Sequence, residues 1–313
     1  MALNVANIST PIRTENFWKG FWRLADPKIS MASLAAMFLG ASAAVYLGPV
    51  HWGWLALTVL GILAIEVAKN ASGEVFDFDS GTDLAVTEAN RSPFSGGKRV
   101  LVDRLLTRQQ TVALSTMAYI LGASAGFAIA AWRAPAVLWI GIFGVLCAYQ
   151  YHAPPLKLSY RGFGELAVGL CYGPLITAGT YLVQRGTLSW KVLLLGAPLG
   201  LLIAGFLWIN EFPDYEADRV SGKRTLIVRF GPRRASRMFA AIELAGFMGV
   251  ALLPLVGWPV FTVLGFVGII PAGRAIVRLM NSPENTEAII PAQADTLKAF
   301  LLCAVGQSAG LWL

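Results

Sequence analysis

Asn210-Glu211-Phe212-Pro213-Asp214-Tyr215-Glu216-Ala217-Asp218 stands where the long apolar run 191–209 gives out. Asn210, Asp214 and Asp218 are spaced four apart, so a helix continuing through them would carry all three on one face. An acidic, oxygen-rich face at a membrane boundary suits a hard divalent cation. Mg²⁺ in particular is commonly held by one or two carboxylates together with substrate phosphates. A solvated, charged helix end would look similar, so the rest of the chain has to decide between the two.

The 313 residues are 56% hydrophobic and 14% charged, with a mean hydropathy of +0.61. Soluble domains carry roughly 25% charged residues, and a bilayer span needs about 20 mostly apolar ones. The composition therefore predicts an all-α integral membrane protein. Nine transmembrane helices are expected at roughly 30–50, 51–69, 110–131, 135–152, 165–183, 191–210, 236–257, 259–275 and 296–313, around a central cavity with cap loops or helices on the cytoplasmic side. No cleaved signal peptide is expected. Phe17, Trp18, Phe21 and Trp22 lie in a basic stretch that suits an amphipathic lead-in helix at the interface.

The net charge of +7 is accounted for by topology rather than by nucleic-acid binding. With the N-terminus inside, every Lys and Arg except Arg133, Arg185 and Lys191 falls on a cytoplasmic segment, as the positive-inside rule requires. Both acidic clusters then face the cytoplasm. Cys147, Cys171 and Cys303 fall within predicted spans without metal-type spacing and read as packing residues.

The second acidic cluster has a counterpart. Span two ends near Asn70 and runs into Gly73-Glu74-Val75-Phe76-Asp77-Phe78-Asp79-Ser80-Gly81-Thr82-Asp83. Each cluster is followed by the same kind of basic element: Gly97-Lys98-Arg99-Val100-Leu101 after the first, Gly222-Lys223-Arg224-Thr225-Leu226 after the second. One membrane domain, 1–313, is thus expected to contain two repeat halves, about 30–152 and 165–275, plus a last helix at 296–313. Two facing carboxylate clusters repel unless cations fill the gap. Two Mg²⁺ ions there would attract a diphosphate, with Lys and Arg completing the cradle. Lipid diphosphates combine a charged head at the interface with a tail in the bilayer.

On these motifs the chain resembles the UbiA superfamily of intramembrane prenyltransferases, over essentially its whole length. Asn210, Asp214 and Asp218 match the second Asp-rich motif of that family in full. Asp77-Phe78-Asp79-Ser80-Gly81-Thr82-Asp83 is similar to the first motif of the branch that prenylates 1,4-dihydroxy-2-naphthoate, as are Asn210–Asp214, Gly222–Leu226 and Tyr160-Arg161-Gly162-Phe163-Gly164-Glu165. One departure stands out: Gly73 occupies the position of the usual family Asn, and Glu74 stands where many members have Asp. Asn70 lies one turn earlier.

The resemblance implies Mg²⁺, as two ions, held by Asp77, Asp83, Asp214 and Asp218, with a polyprenyl diphosphate as donor and an aromatic acceptor as partner. Asn70, Lys98, Arg99, Asn210, Lys223 and Arg224 are expected to contact the diphosphate. Asp79 and Glu216 stand second, as supports for the metal ligands or the basic residues. Tyr149 and Tyr151 are expected to face a cationic intermediate, and Lys157 to reach the diphosphate or the acceptor carboxylate. Attack of the acceptor's carboxyl-bearing carbon, coupled to loss of CO₂, would give a menaquinone precursor at a bacterial cytoplasmic (inner) membrane. Another acceptor or a terpene cyclase is the runner-up. A transporter or lipid-binding scaffold is the alternative from outside enzymology, and it would place ion ligands nearer the midplane. Among other residues, Glu66 is expected near the head of the pocket. Glu243 should pair with Arg237 or Arg274, and Phe206 and Trp208 are candidates to line the tail cavity.

Overall fold

A computed structural model describes residues 14–313. Among the described residues every regular element is a helix. In order they are α1 (Thr14–Ala25), α2 (Pro27–Tyr46), α3 (Trp52–Ser80), a short α4 (Thr82–Ala85), α5 (Arg108–Trp132), α6 (Val137–Gln150), α7 (Gly164–Leu170), α8 (Ile176–Arg185), α9 (Trp190–Asn210), α10 (Tyr215–Val220), α11 (Leu226–Phe230), α12 (Pro232–Leu252), α13 (Ile269–Asn281) and α14 (Thr286–Trp312). A π-helical turn, Cys171–Leu175, joins α7 to α8, and a 3₁₀ stretch, Val260–Gly268, leads into α13.

Among the described residues eight helical segments are long and apolar enough to cross a bilayer. The expected span at 135–152 is instead the 14-residue α6, apolar but shorter. The expected interfacial segment is α1, which places Trp18 and Trp22 on its exposed side, each 59% accessible. At 29 residues α3 reaches about 44 Å, longer than a hydrocarbon core of about 30 Å. The helix thus exceeds the length a span needs, and its last two turns carry Gly73–Ser80. Gly81 stops the helix in the left-handed conformation, φ 83°. Asp83 follows on α4.

Helix α9 runs through the centre of the bundle, touching α2, α7, α12 and α14. Its buried residues Leu195, Leu199, Leu202 and Ile203 belong to the main apolar core with Leu39, Phe239, Phe247 and Phe300. Lipid is as apolar as leucine, so helices in a membrane associate through close packing rather than hydrophobic transfer. The π turn shows this. A Cβ at Gly173 would lie 2.3 Å from the Cα of Gly200, and one at Gly200 would lie 2.3 Å from the carbonyl oxygen of Gly169. Backbone meets backbone there, and only glycine allows it.

The two ends of the bundle are tied differently. At one end Gln184 accepts from the His51 amide at 2.8 Å, and Arg133 donates to the carbonyls of Val183 and Gln184. At the other end the connections 81–107, 151–163 and 211–225 form one cap: Arg224 N donates to the Tyr160 carbonyl at 2.9 Å, and Gly96 N to Asp214 at 3.3 Å. Helix α1 is tied to the same cap through Arg23–Asp103, at 2.5 Å, and to α3 through Asn70 Nδ2, which donates to the Leu24 carbonyl.

Glu243 does not form its expected pair. Arg274 pairs with Asp295 instead, and both Glu243 oxygens are buried without a hydrogen-bond partner, one of them where a Gly205 side chain would stand.

Gly200→Leu should destabilise the fold by about 1–3 kcal/mol through overpacking. Gly144→Ala, with open space around its Cβ, should be neutral or slightly stabilising. Thermal unfolding of both variants in detergent checks this. An unchanged midpoint for Gly200→Leu would show that α7 and α9 are not in backbone contact.

Candidate active site

A cavity of about 730 Å³ opens at the capped end, between α2, α3, α9 and the connections after α3 and α9. Asp77, Asp83, Asp214 and Asp218 all line it, and so do Asn70, Asn210, Lys98, Arg99 and Lys223. Residues separated by more than 130 positions in the chain thus meet in one space.

Each carboxylate is held differently. Asp77, at the end of α3, accepts from Tyr160 Oη at 2.6 Å, with His152 Nε2 3.6 Å away. Asp83 lies against Gly97, where any Cβ would fall 2.2 Å from its Oδ1; Gly97 has φ 74°. Asp214 accepts only the Gly96 amide, and Asp218 pairs with Lys223 at 3.6 Å. Oxygens of Asp83, Asp214 and Asp218, and the Asn210 side-chain oxygen, are buried with no hydrogen-bond partner. Buried acceptors without donors are costly, and their number here signals a missing positive charge.

The titration of the cluster points the same way. Burial, with Asp77 and Glu74 adding repulsion, pushes Asp83 up to about 8. Burial and Asp218 push Asp214 up to about 7, and burial raises Asp218 to about 6 although Lys223 opposes it. Burial would lower the Lys223 ammonium, yet Asp218 and Asp77 carry it well above its usual range. The acids outweigh the base. Among the described residues no three acidic, His or Cys side chains converge on a single point. That arrangement fits an ion completed by phosphate oxygens and water rather than a closed protein cage.

Other expected residues lie elsewhere. Asp79 is exposed and pairs with Arg108 at 2.8 Å, and Glu216 is exposed and pairs with Arg219 at 2.7 Å. The Arg224 side chain is exposed and outside the cavity wall. Lys157 also lies outside it, with its ammonium 5.3 Å from the Tyr160 ring. Tyr149 is 44% accessible and packs edge-on against Phe76 and Tyr119; Tyr151, two residues on and thus on another side of the chain, lines the cavity instead. Lys98 reaches the cavity but is paired with Asp26, and Arg99 donates to the Asp83 carbonyl at 3.0 Å. Phe206 lines the cavity, whereas Trp208 is buried in the core.

Three residues at the site were given no role by the sequence: His152 and Lys69, which line the cavity, and Tyr160, which stands behind Asp77. Tyr160 holds Asp77 and lies between two ammonium groups, Lys157 and Lys223. His152 takes up the space left by Gly73: a Cβ there would lie 2.5 Å from its ring. The Gly73 departure therefore admits an imidazole beside Asp77, a coupling across 79 positions that no local pattern reveals. Lys69, on α3 one turn after Glu66, is the third. An ionisable pair inside an apolar span was its available signal.

The UbiA prenyltransferase family model matches residues 33–292, so the chain belongs to the UbiA prenyltransferase family and is a prenyltransferase. It is 28% identical over 291 residues to a 1,4-dihydroxy-2-naphthoate octaprenyltransferase of Mycobacterium tuberculosis, covering 92% of this chain and 94% of that one. It is also 28% identical over 235 residues to a 2-carboxy-1,4-naphthoquinone phytyltransferase of Synechocystis, covering 74% and 71%. In fold it resembles a UbiA homologue from Archaeoglobus fulgidus solved with GPP and Mg²⁺, with a TM-score of 0.61 at 15% identity, over 92% of this chain and 99% of that one.

A raised carboxylate pKa means the folded protein holds protons that the unfolded chain has released, so stability falls as pH rises toward the folded value. With metal removed by chelator, thermal stability should therefore fall from about pH 4, where the unfolded aspartates have ionised, and level off only as Asp218, Asp214 and Asp83 lose their protons near 6, 7 and 8. Saturating Mg²⁺ should remove most of that loss. Stability that climbs with pH in chelator would mean the protein satisfies these carboxylates by itself. A second expectation concerns Gly73→Asn, which should displace His152 and weaken Mg²⁺ affinity by about tenfold, within the range seen for groups that support metal ligands. Titration calorimetry checks it, and an unchanged affinity would free Asp77 from any dependence on His152.

Proposed function

We propose that the chain transfers a polyprenyl group from its diphosphate to an aromatic acid, 1,4-dihydroxy-2-naphthoate, in menaquinone biosynthesis at a bacterial inner membrane, with nine transmembrane helices, a duplicated layout and the site capped on the cytoplasmic side. The observation that carries this reading is that two unlike cavities adjoin. The acidic, open cavity meets an apolar one of about 440 Å³ between α3, α5, α6 and α8. Lys69, Tyr151, Val168 and Tyr172 line both. A diphosphate head suits the first and a prenyl tail the second, which sets the reacting carbon at their junction.

Asp77, Asp83, Asp214 and Asp218 would hold Mg²⁺, two ions on this reading. Bound there, Mg²⁺ would neutralise the charge that gathers on a departing diphosphate. Lys223 and Arg99, on opposite repeats, supply fixed positive charge at the same mouth. Asn70 and Asn210 present amides toward the cavity, and Tyr160 keeps Asp77 oriented. The donor C1–O bond breaks with its electron pair leaving on the diphosphate. The ring's π electrons form the new C–C bond at the carboxyl-bearing carbon. Loss of CO₂ returns the C–C pair to the ring. Tyr151 and Tyr172 present ring faces where positive charge develops. The relative from Mycobacterium tuberculosis supports the choice of acceptor, because its name specifies that naphthoate and the likeness spans nearly the whole chain.

Purified protein in nanodiscs should convert dihydroxynaphthoate and a polyprenyl diphosphate to decarboxylated, prenylated product in Mg²⁺, read by mass spectrometry with diphosphate release counted alongside. Asp214→Ala should lower the rate by at least about 100-fold, on the scale of losing a transition-state charge partner. Diphosphate release without that product would replace the acceptor, or point to a cyclase. Absence of turnover with any acceptor would return the chain to the transporter or scaffold reading.

A further inference from the structure

Lys69 is the residue that sits where the two cavities join, and it is unusual in its company. It lies on α3 inside a segment of membrane-spanning length, and its accessible surface faces the cavities it lines. Its ammonium has Tyr172 Oη at 3.2 Å, and the rings of Tyr172 and Tyr151 at 5.5 and 5.8 Å. Among the described residues it forms no salt bridge within 4.0 Å. An ammonium in an apolar span that keeps donors free is expensive, and such groups mark ligand sites.

Glu66 stands one turn earlier on the same face. It is 5% accessible, lines the apolar cavity, and both its oxygens lack a hydrogen-bond partner. The pair is thus a half-buried cation with unused donors beside a buried carboxyl with unused acceptors. Two tyrosine rings flank them. Tyr172 is carried by the π turn Cys171–Leu175, a local irregularity of the kind that re-aims side chains at functional sites.

We infer that Lys69, Glu66, Tyr151 and Tyr172 form the acceptor subsite, in which Lys69 binds the carboxylate of a planar aromatic acid and Glu66 accepts from its ring hydroxyl. The inference rests on the prenyl-transfer reading and specifies where its second substrate sits. The chemistry matches part by part: a carboxylate meets the free ammonium, a hydroxyl meets the free carboxyl oxygens, and a flat ring lies between aromatic faces. Position agrees as well. A ring carbon attacking the donor's C1 must reach the point where head cavity becomes tail cavity, and these residues surround that point. Lys157, expected from the sequence to reach the acceptor carboxylate, lies outside both cavities. Because the carboxylate leaves as CO₂, its contact with Lys69 acts on the bound ground state, so it should govern KM more than kcat.

The test compares wild type with Lys69→Met and Lys69→Arg in nanodiscs, using 1,4-dihydroxy-2-naphthoate and its carboxylate-free analogue 1,4-dihydroxynaphthalene, with geranylgeranyl diphosphate and Mg²⁺. Lys69→Met should raise KM for the naphthoate by about ten- to a hundredfold, the scale of one charge-assisted hydrogen bond. KM for the donor and for the carboxylate-free ring should stay unchanged, and Lys69→Arg should recover most of the affinity. An unchanged naphthoate KM in Lys69→Met, or an equal rise for donor and acceptor, would overturn the assignment. Should Lys69→Met not fold, judged by Mg²⁺-dependent binding of a thiolodiphosphate donor analogue, Tyr172→Phe carries the test and should raise only the naphthoate KM. Should wild type turn over no aromatic acid, the function proposed above fails on its own. Naphthoate binding measured by fluorescence quenching then decides the subsite: binding lost in Lys69→Met supports it, and no binding by wild type ends it.

Discussion

Uncompensated negative charge is the constraint around which this molecule is arranged. Four aspartates from two distant parts of the chain share one partly enclosed cavity, with the Lys223 ammonium paired to one of them. Repulsion in such a setting is far stronger than in water. The fold holds them there anyway, through contacts that have little slack: Gly97 against Asp83, Tyr160 on Asp77, and the Gly96 amide on Asp214. Elements that would otherwise be loose connections become a cap because they carry these contacts. On the proposed reading a cation and a diphosphate would relieve that repulsion together.

The bundle below supplies rigidity without a hydrophobic driving force between helices. Glycine faces let α7 and α9 touch through backbone, and α9 fixes Asn210 and, one short loop later, Asp214. Helix α3 does the corresponding work for Asp77, which sits in its last turn. The two mouths are alike but not identical. Gly97 and Gly222 adopt the same left-handed conformation, φ 74° and 77°, and the lysine after each reaches the cavity. The following arginines diverge: Arg99 turns in, Arg224 out. The first basic element therefore brings more fixed positive charge to the cavity than the second.

Sequence alone reached the all-helical membrane fold and the four aspartates, because span hydropathy and carboxylate spacing are local signals. It also reached Asn210 and Lys223, which belong to the same local pattern. It placed both Tyr149 and Tyr151 at the site, and only Tyr151 lines the cavity, because residues two apart at a helix end point to opposite sides. It expected Lys157 at the diphosphate or the acceptor carboxylate and Arg224 at the diphosphate, and both lie outside the cavity wall. The Gly73–His152 relation was out of reach, since an absent side chain on one helix explains a ring on a segment four elements away. Glu66 and Lys69 were visible as costly residues in an apolar span, but their meaning depends on a second cavity that only packing creates. The π turn that brings Tyr172 beside Lys69 has no equivalent in the regular periodicity on which span prediction rests.

Binding of a non-reactive thiolodiphosphate donor analogue, measured by calorimetry with and without Mg²⁺ in wild type, Asp83→Asn and Asp214→Asn, tests the shared site most directly. One cavity built by both acidic clusters predicts Mg²⁺-dependent binding that either substitution alone reduces by about tenfold or more, the cost of roughly one lost charge contact. Binding that survives either substitution, or that needs no Mg²⁺, would contradict a diphosphate site assembled from the two halves.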